Sequence, residues 1–340
     1  MAACLLAVVA PATVAHDTGP RHPERNDRVE AVLAGLADAQ LGDALATSDG
    51  RDATRAELAL VHDVAYIDAL EEFAGAGGGY LDADTVVAAG SFGAAVRAAG
   101  CGLAAVDALT SGEADAAFVV ARPPGHHATA TRGQGFCLFN NVAVSAAVLV
   151  ARGERVLIVD WDVHHGNGTQ EIFWDDAGVL YVSTHQSPAY PGTGRVEETG
   201  GVHAAGLTVN FPLPPGATGD VAMSAMDDVV APLVETFSPT WVLISAGFDA
   251  HRADPLADLA WSAGDYRSLA ARVLEFAPGV GRTIAFLEGG YDLPALRAST
   301  AAATRALAGA ATRSEEAPTS GGPGGHVVAR ARRVLTERTG

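Results

Sequence analysis

The sequence predicts an α/β protein: a three-layer α/β/α domain around a central, mostly parallel sheet. Three observations predict it. Apolar, β-branched runs recur: "ELALVH" (57–62), "AAFVVA" (116–121), "RVLIVD" (155–160), "VLYVST" (179–184), "LTVNF" (207–211), "WVLISA" (241–246) and "TIAFLE" (283–288). Continuous apolar runs of this length read as strands buried on both faces. Ala-rich segments with helical spacing lie between many of them, at 91–110, 140–152, 219–237 and 264–277. Strand-helix alternation means a parallel sheet covered by helices on both sides. Polar clusters follow the strands: "RPPGHH" after 116–121, "DWDVHH" at the end of 155–160, His185 after 179–184, "GFD" after 241–246 and "EGGY" from the end of 283–288. In open parallel sheets ligands bind at the carboxyl edge. Residues far apart in sequence are therefore expected to meet in one crevice.

Composition narrows the classes. The 340 residues are 49% hydrophobic, ample for a large core and against global disorder. Compact α/β enzymes run past ~200 residues as one unit. The net charge is −18, and all 22 basic residues are Arg. An acidic surface argues against nonspecific binding to nucleic acid or anionic membrane. It suits a salty cytoplasm or reflects a GC-rich genome, and the sequence leaves both open. No uninterrupted apolar run reaches the ~18 residues of a membrane helix.

The chain starts "MAACLLAVVAPATVA", apolar and ending in small residues but lacking the basic region of an export signal. It reads as a first buried strand. Cys4, Cys101 and Cys137 are scattered without metal-type spacing, which fits a reducing cytoplasm without a disulfide framework. "SEEAPTSGGPGG" (314–325) is a polar Gly/Pro/Ser linker, and "HVVARARRVLTER" after it has the pattern of a short amphipathic helix. The expected organisation is one domain over 1–312 with an appendage over 313–340.

Asp160, Asp162 and His164 stand at i, i+2 and i+4 after an apolar strand, so extended backbone points all three to one side. Buried carboxylates and imidazoles need partners. Asp and neutral His are good zinc ligands, and a catalytic zinc site has three protein ligands and an open position. Asp162 and His164 are the natural first two. Asp249, leaving another strand end in "SAGFDAH", is the best third. Adjacent His126 and His127 cannot easily share one metal from a single strand and suit proton transfer, since imidazole titrates near neutrality. Phe136, between Gly135 and Cys137 in "GQGFCLFNN", reads as a pocket wall rather than core. In "LEGGYDL" (287–293) two glycines permit a sharp turn that presents Tyr291, whose phenol can donate to an oxyanion.

The motifs "HDTGPRHPERNDRV" (16–29), "RPPGHHA" (122–128), "GFCLFNN" (135–141), "VDWDVHHGNGTQ" (159–170), "YPGTG" (190–194), "SAGFDAHRADPL" (245–256) and "LEGGY" run in this order along the chain. Together they resemble the histone deacetylase superfamily, which includes acetylpolyamine amidohydrolases and acetoin-utilisation proteins. The wording is most similar to the class II branch. The resemblance implies the arginase/deacetylase fold and hydrolysis of acyl-amides, from N-ε-acyl-lysine of proteins or from acetylated small amines. It implies zinc, with iron(II) as the alternative, on Asp162, His164 and Asp249, and a structural potassium. His126 and His127 match the tandem histidines. Asp160 matches the Asp that orients the first and contributes to the potassium site, and Asn167 the class II partner of the second. Tyr291 matches the catalytic tyrosine. Phe136 and Tyr190 match positions lining the acyl-lysine tunnel, and Asp84 the rim Asp that grips substrate backbone. Leu256 falls where polyamine deacetylases carry Glu, which tilts the reading towards acyl-lysine. His165 is left with a structural hydrogen bond.

Two other classes fit the sequence less well. A two-manganese ureohydrolase of the same topology needs further Asp ligands in DxHxD and DxDxxDP patterns, which "DVHHGN" and "GFDAHRADP" do not supply. A non-catalytic acyl-lysine module would not need His126, His127 and Tyr291 together with all three ligands.

Overall fold

The structure is a computed structural model and describes residues 4–10, 16–311 and 316–339. The expected boundary at 312/313 lies outside the described residues. Ten strands are described: β1 Leu5–Val9, β2 Leu45–Asp49, β3 Gly79–Tyr80, β4 Val86–Val87, β5 Ala116–Val120, β6 Val156–Asp160, β7 Val179–Gln186, β8 Thr208–Leu213, β9 Trp241–Ala246 and β10 Thr283–Leu287. Eight form one sheet in the order β2-β1-β5-β10-β9-β6-β7-β8, and every pairing in it is parallel. β3 and β4 form a separate antiparallel hairpin.

Alternation along the central strands divides the core into two layers. Phe118 and Val120 of β5, Leu157 and Val159 of β6 and Leu287 of β10 face one side, with the helices Asp27–Asp38, Ala263–Leu274 and Leu293–Leu307. Ala117 and Val119, Ile158, and Ile284 and Phe286 face the other, with the helices Val64–Gly75, Ser91–Ser111 and Asn141–Ala151. Strands buried on both faces explain why their sequences are unbroken apolar runs. The three-layer expectation holds.

One local reading is corrected, and two further elements show what run-based reading passes over. Residues 57–62 are not a strand. Thr54 and Glu57 make a reciprocal capping box that starts the short helix Arg55–Leu58, and a turn follows. Local capping outweighs a run too short to force a strand. β2, "LATSD", has no apolar run because it is an edge strand exposed along most of its length. The helix Ser91–Ser111 has the length and hydropathy of a membrane span, which a search for uninterrupted apolar runs passes over because Arg97 and Asp107 interrupt it. In the fold its apolar face is buried in the layer it shares with Asn141–Ala151.

The C-terminal segment packs on the domain. Val327, Val328, Ala331 and Leu335 of the helix Gly325–Thr339 join the core beside β8 and the helix Gly219–Ala225. The backbone N–H and hydroxyl of Thr319 donate to the carboxylate of Asp265.

Candidate active site

β5, β10, β9 and β6 are neighbours at the centre of the sheet. Being parallel, they release their polar segments at one edge. β6 runs directly into Asp162 and His164. Nδ1 of His164 lies 3.2 Å from Oδ1 of Asp162 and 3.3 Å from Oδ2 of Asp249, which leaves the end of β9. One ligand atom from each of the three residues falls within 4.8 Å of the others. The second carboxylate oxygens are held by backbone: Gly289 N–H donates to Oδ2 of Asp162 (2.7 Å) and Val163 N–H to Oδ1 of Asp249 (2.9 Å). Oδ2 of Asp249 is buried without a hydrogen-bond partner among the described residues.

Two fully buried carboxylates converging on one imidazole nitrogen repel each other, and a cation between them relieves this. Burial raises Asp249, and the charge of Asp162 raises it further. An orphaned carboxylate oxygen beside one imidazole and one carboxylate fits a divalent ion such as zinc or iron(II). The approach is close enough to require glycine: a Cβ at Gly289 would strike Oδ2 of both Asp249 and Asp162.

β5 leads through Arg122, Pro123 and Pro124 to the tandem histidines. His126 Nδ1 is 3.0 Å from Oδ2 of Asp160, which also accepts from the Tyr181 hydroxyl at 3.1 Å. His127 Nδ1 is 2.8 Å from Oδ1 of Asn167. Both partners accept, so each histidine donates from Nδ1. The two environments differ in charge. Burial acts to lower both histidines, but Asp160, Asp162 and Glu288 hold His126 well above its usual range. Burial, then the charges of His126 and His164, push His127 well below.

β10 leads to Tyr291. Its ring packs edge-on against Phe136, with centroids 5.9 Å apart, and the Arg28 guanidinium lies 5.0 Å from its centroid. Burial keeps the phenol protonated, well above its ordinary range, against the pull of Arg28. Phe136 has a left-handed backbone (φ 68°), uncommon for an aromatic residue. Its N–H donates to Oγ1 of Thr85 on the β3–β4 hairpin.

These groups enclose a cavity of about 300 Å³. His127, His164 and Tyr291 line it with Phe136, Tyr190, Leu256 and Asp84. Tyr190 and Leu256 are 45% and 42% exposed, which sets them towards its mouth. Asp160, Asn167 and His126 do not line it; they stand behind its walls. His165 lies apart, bonded to Thr193 Oγ1 (2.8 Å) and Gln170 Oε1 (3.0 Å). His185, expected in the crevice, instead stacks on His165 at 4.7 Å and bonds to Ser183 and the Gly194 carbonyl. β7 stands one strand outside β6, too far along the sheet to reach the cavity.

The sequence reading missed several residues. His22 and Pro23 line the cavity; they sit in the quoted "RHPER" motif but received no role. Glu24, fully buried, bonds both Arg28 and Arg122. Arg28 in turn donates to the Gly290 and Glu288 carbonyls. Glu288 is buried at the end of β10, and burial pushes it up to about 7 against the pull of His126. A carboxylate closing an apolar strand was the signal used for Asp160, and it applies equally to Glu288.

Residues 22–307 match the histone deacetylase domain. A probable deacetylase of Archaeoglobus fulgidus is 40% identical over 82% of this chain and 79% of its own length. The histone deacetylase-like amidohydrolase of Pseudomonas aeruginosa is 38% identical over 84% of this chain and 75% of its own. The crystal structure of the HDA15 HD domain superposes with a TM-score of 0.88 at 35% identity, covering 97% of this chain and 96% of that one. The α/β architecture is thus the arginase-like fold of the deacetylases, and the chain belongs to the histone deacetylase family.

Proposed function

We propose that this hydrolase removes acetyl, or longer acyl, groups from N-ε-acyl-lysine side chains of proteins. The observation that carries the reading is the cavity itself, which ends on His127, His164 and Tyr291 and opens between Tyr190 and Leu256. An aromatic wall of Phe136 and Tyr190 suits the methylene chain of a lysine. Leu256 at the mouth is apolar, which favours a lysine over a polyamine, and Asp84, the carboxylate beside it in the lining, is assigned to the substrate backbone.

Asp162, His164 and Asp249 would hold zinc, with iron(II) as the alternative. Bound there, the metal supplies a Lewis acid and lowers the pKa of a bound water from 15.7 towards about 7 in favourable sites. One trio of ligands is found among the described residues, which supports one metal per chain over a two-manganese site. His127, donating from Nδ1 to Asn167, keeps Nε2 as the acceptor that takes the proton of the attacking water. Such a base contributes roughly 10²–10⁴-fold. The Tyr291 hydroxyl donates to the carbonyl oxygen as it gains negative charge. The C–N bond then breaks, the acyl group leaves as carboxylate, and the amine takes up the proton held by the histidine. His126 and Asp160 orient this pair from behind. Asp84, at the mouth, is placed to accept from a substrate backbone N–H. The potassium expected beside Asp160 belongs to the same reading. Three free cysteines support a reducing cytoplasm as the compartment.

Release of acetate from an acetyl-lysine peptide tests the proposal. Turnover that stops with a chelator or a hydroxamate and returns with one equivalent of zinc is expected. No release from any acyl-lysine peptide by the metal-loaded chain would refute it.

A further inference from the structure

Glu288 takes no part in the chemistry above, yet its carboxylate is fully buried beside it. Oε2 accepts two backbone N–H groups, from Gly125 at 2.7 Å and from His126 at 3.2 Å. Oε1 faces the Ser245 hydroxyl at 3.5 Å. The loop that carries the tandem histidines has little else to hold its backbone N–H groups. Pro123 and Pro124 have none, so Gly125 and His126 supply the first two after Arg122, and both end on one oxygen. Two further polar atoms of His126 are also fixed: Nδ1 by Asp160, and the carbonyl by the Thr169 N–H at 3.1 Å.

The anchor comes from a telling place. Glu288 begins the segment that ends in Tyr291. The next residue, Gly289, donates its N–H to Oδ2 of Asp162. Two consecutive residues of one turn therefore touch the tandem-histidine loop and the ligand trio, and the same turn presents the tyrosine. Asn141, Gln134 and Asn140 side chains bind carbonyls of this loop, but Glu288 takes its Gly125 and His126 N–H groups.

We propose that Glu288 is a positioning residue: its carboxylate fixes the tandem-histidine loop relative to the Asp162–His164–Asp249 trio and to Tyr291. It touches neither the cavity nor a reacting atom, and it acts through the backbone of Gly125 and His126. The role assigned to it is acceptor geometry, beside the charge that with Asp160 and Asp162 holds His126 up. The Gln amide preserves that geometry, because its oxygen can accept both N–H groups while its NH₂ donates to Ser245 Oγ.

The proposal rests on the hydrolase reading for its kinetic arm only. The experiment compares the full, metal-loaded chain with Glu288→Ala and Glu288→Gln. It measures kcat and KM on an acetyl-lysine peptide, bound metal, and the ¹⁵N imidazole resonances of His126 and His127. A misplacement of about 1 Å costs roughly 10²-fold. Glu288→Ala is therefore expected to lose about 10²-fold in kcat with KM within about threefold, the signature of an interaction felt in the transition state. Metal content should stay at wild type, and both histidine resonances should shift. Glu288→Gln should recover kcat to within about fivefold and return the His127 resonances, while those of His126 register the lost charge. A folded Glu288→Ala chain with wild-type kcat and unmoved resonances overturns the proposal. So does a folded Glu288→Gln chain as slow as the alanine variant, since charge would then be what matters. If Glu288→Ala does not fold, Glu288→Gln decides alone by the same two outcomes. If wild type turns over no acyl-lysine peptide, the substrate reading fails, and the resonances still decide the role of Glu288.

Discussion

Tyr291 and His127 reach the cavity beyond the neighbouring strands β10 and β5, and each is placed to do one thing. Tyr291→Phe removes the hydroxyl while leaving the ring against Phe136. Loss of one oxyanion donor costs roughly 10²–10³-fold in kcat, and the melting temperature should stay within about 2 °C of wild type. His127→Ala should lose roughly 10²–10⁴-fold with the fold intact. Steady-state kinetics with thermal melts check both, and wild-type rates in either variant would sink the proposed scheme. Gly289→Ala tests the ligand trio. A Cβ there meets both carboxylates, so metal affinity should fall 10-fold or more, on the order seen for displaced ligand supports. Competition with a chromogenic chelator measures it. At this scale the sequence was most legible where spacing alone dictates direction, as for Asp162 and His164. It was least legible for groups such as Glu24 and Glu288, whose partners Arg122, Gly125 and His126 lie far away in sequence. Its place at a strand end marks Glu288 as buried, but nothing local marks the Gly125 and His126 N–H groups it accepts from, more than a hundred residues away.

At the scale of elements, the loops behind the cavity are held by buried polar ties, and some of these titrate. His62 is buried; Asn140 N–H donates to its Nε2 (3.0 Å) while its Nδ1 donates to the Thr129 carbonyl (3.0 Å). This arrangement needs the neutral ring, and burial lowers His62 from 6.5 to about 4. Because the folded pKa lies below the unfolded one, the unfolded chain binds the extra proton between these values. Stability from this group is therefore complete above pH ~6.5 and falls as pH drops towards 4, by about 3 kcal/mol in all. Urea unfolding at pH 7 and pH 4.5 should show this loss. In His62→Gln, whose side chain does not titrate here, the pH dependence should shrink by about that amount; an unchanged pH dependence would rule His62 out as its source. The strands were read from sequence wherever both faces are buried. β2 was missed because one of its edges is open and its side chains are polar, and 57–62 was misread because a capping box acts over four residues, below the span of a periodicity argument.

For the whole molecule, the parallel sheet explains why so much of the site could be anticipated. Four adjacent strands all end at one edge, so listing the polar residues after each apolar run nearly lists the site. His185 shows the limit of that argument: it lies within β7, one strand position too far out along the sheet. The C-terminal segment shows another limit, since a polar linker does not reveal what the helix beyond it covers. Deleting residues 318–340 would uncover the surface now packed by Val327, Val328, Ala331 and Leu335. At roughly 1.5–3 kcal/mol for each side chain fully buried, the loss is large against net stabilities of about 5–15 kcal/mol. The truncated chain should melt at least about 10 °C lower by circular dichroism; an unchanged melt would show that the segment adds nothing to the core.

The central claim is that the cavity takes an acylated lysine and hydrolyses its amide. The most direct test is kcat/KM for the metal-loaded chain on acetyl-lysine peptides, longer acyl-lysine peptides and acetylpolyamines, measured side by side. The account predicts that an acyl-lysine peptide exceeds every acetylpolyamine by at least about tenfold, a difference of ~1.4 kcal/mol. A preference for acetylpolyamines, or no turnover of any acyl-lysine peptide, would contradict it.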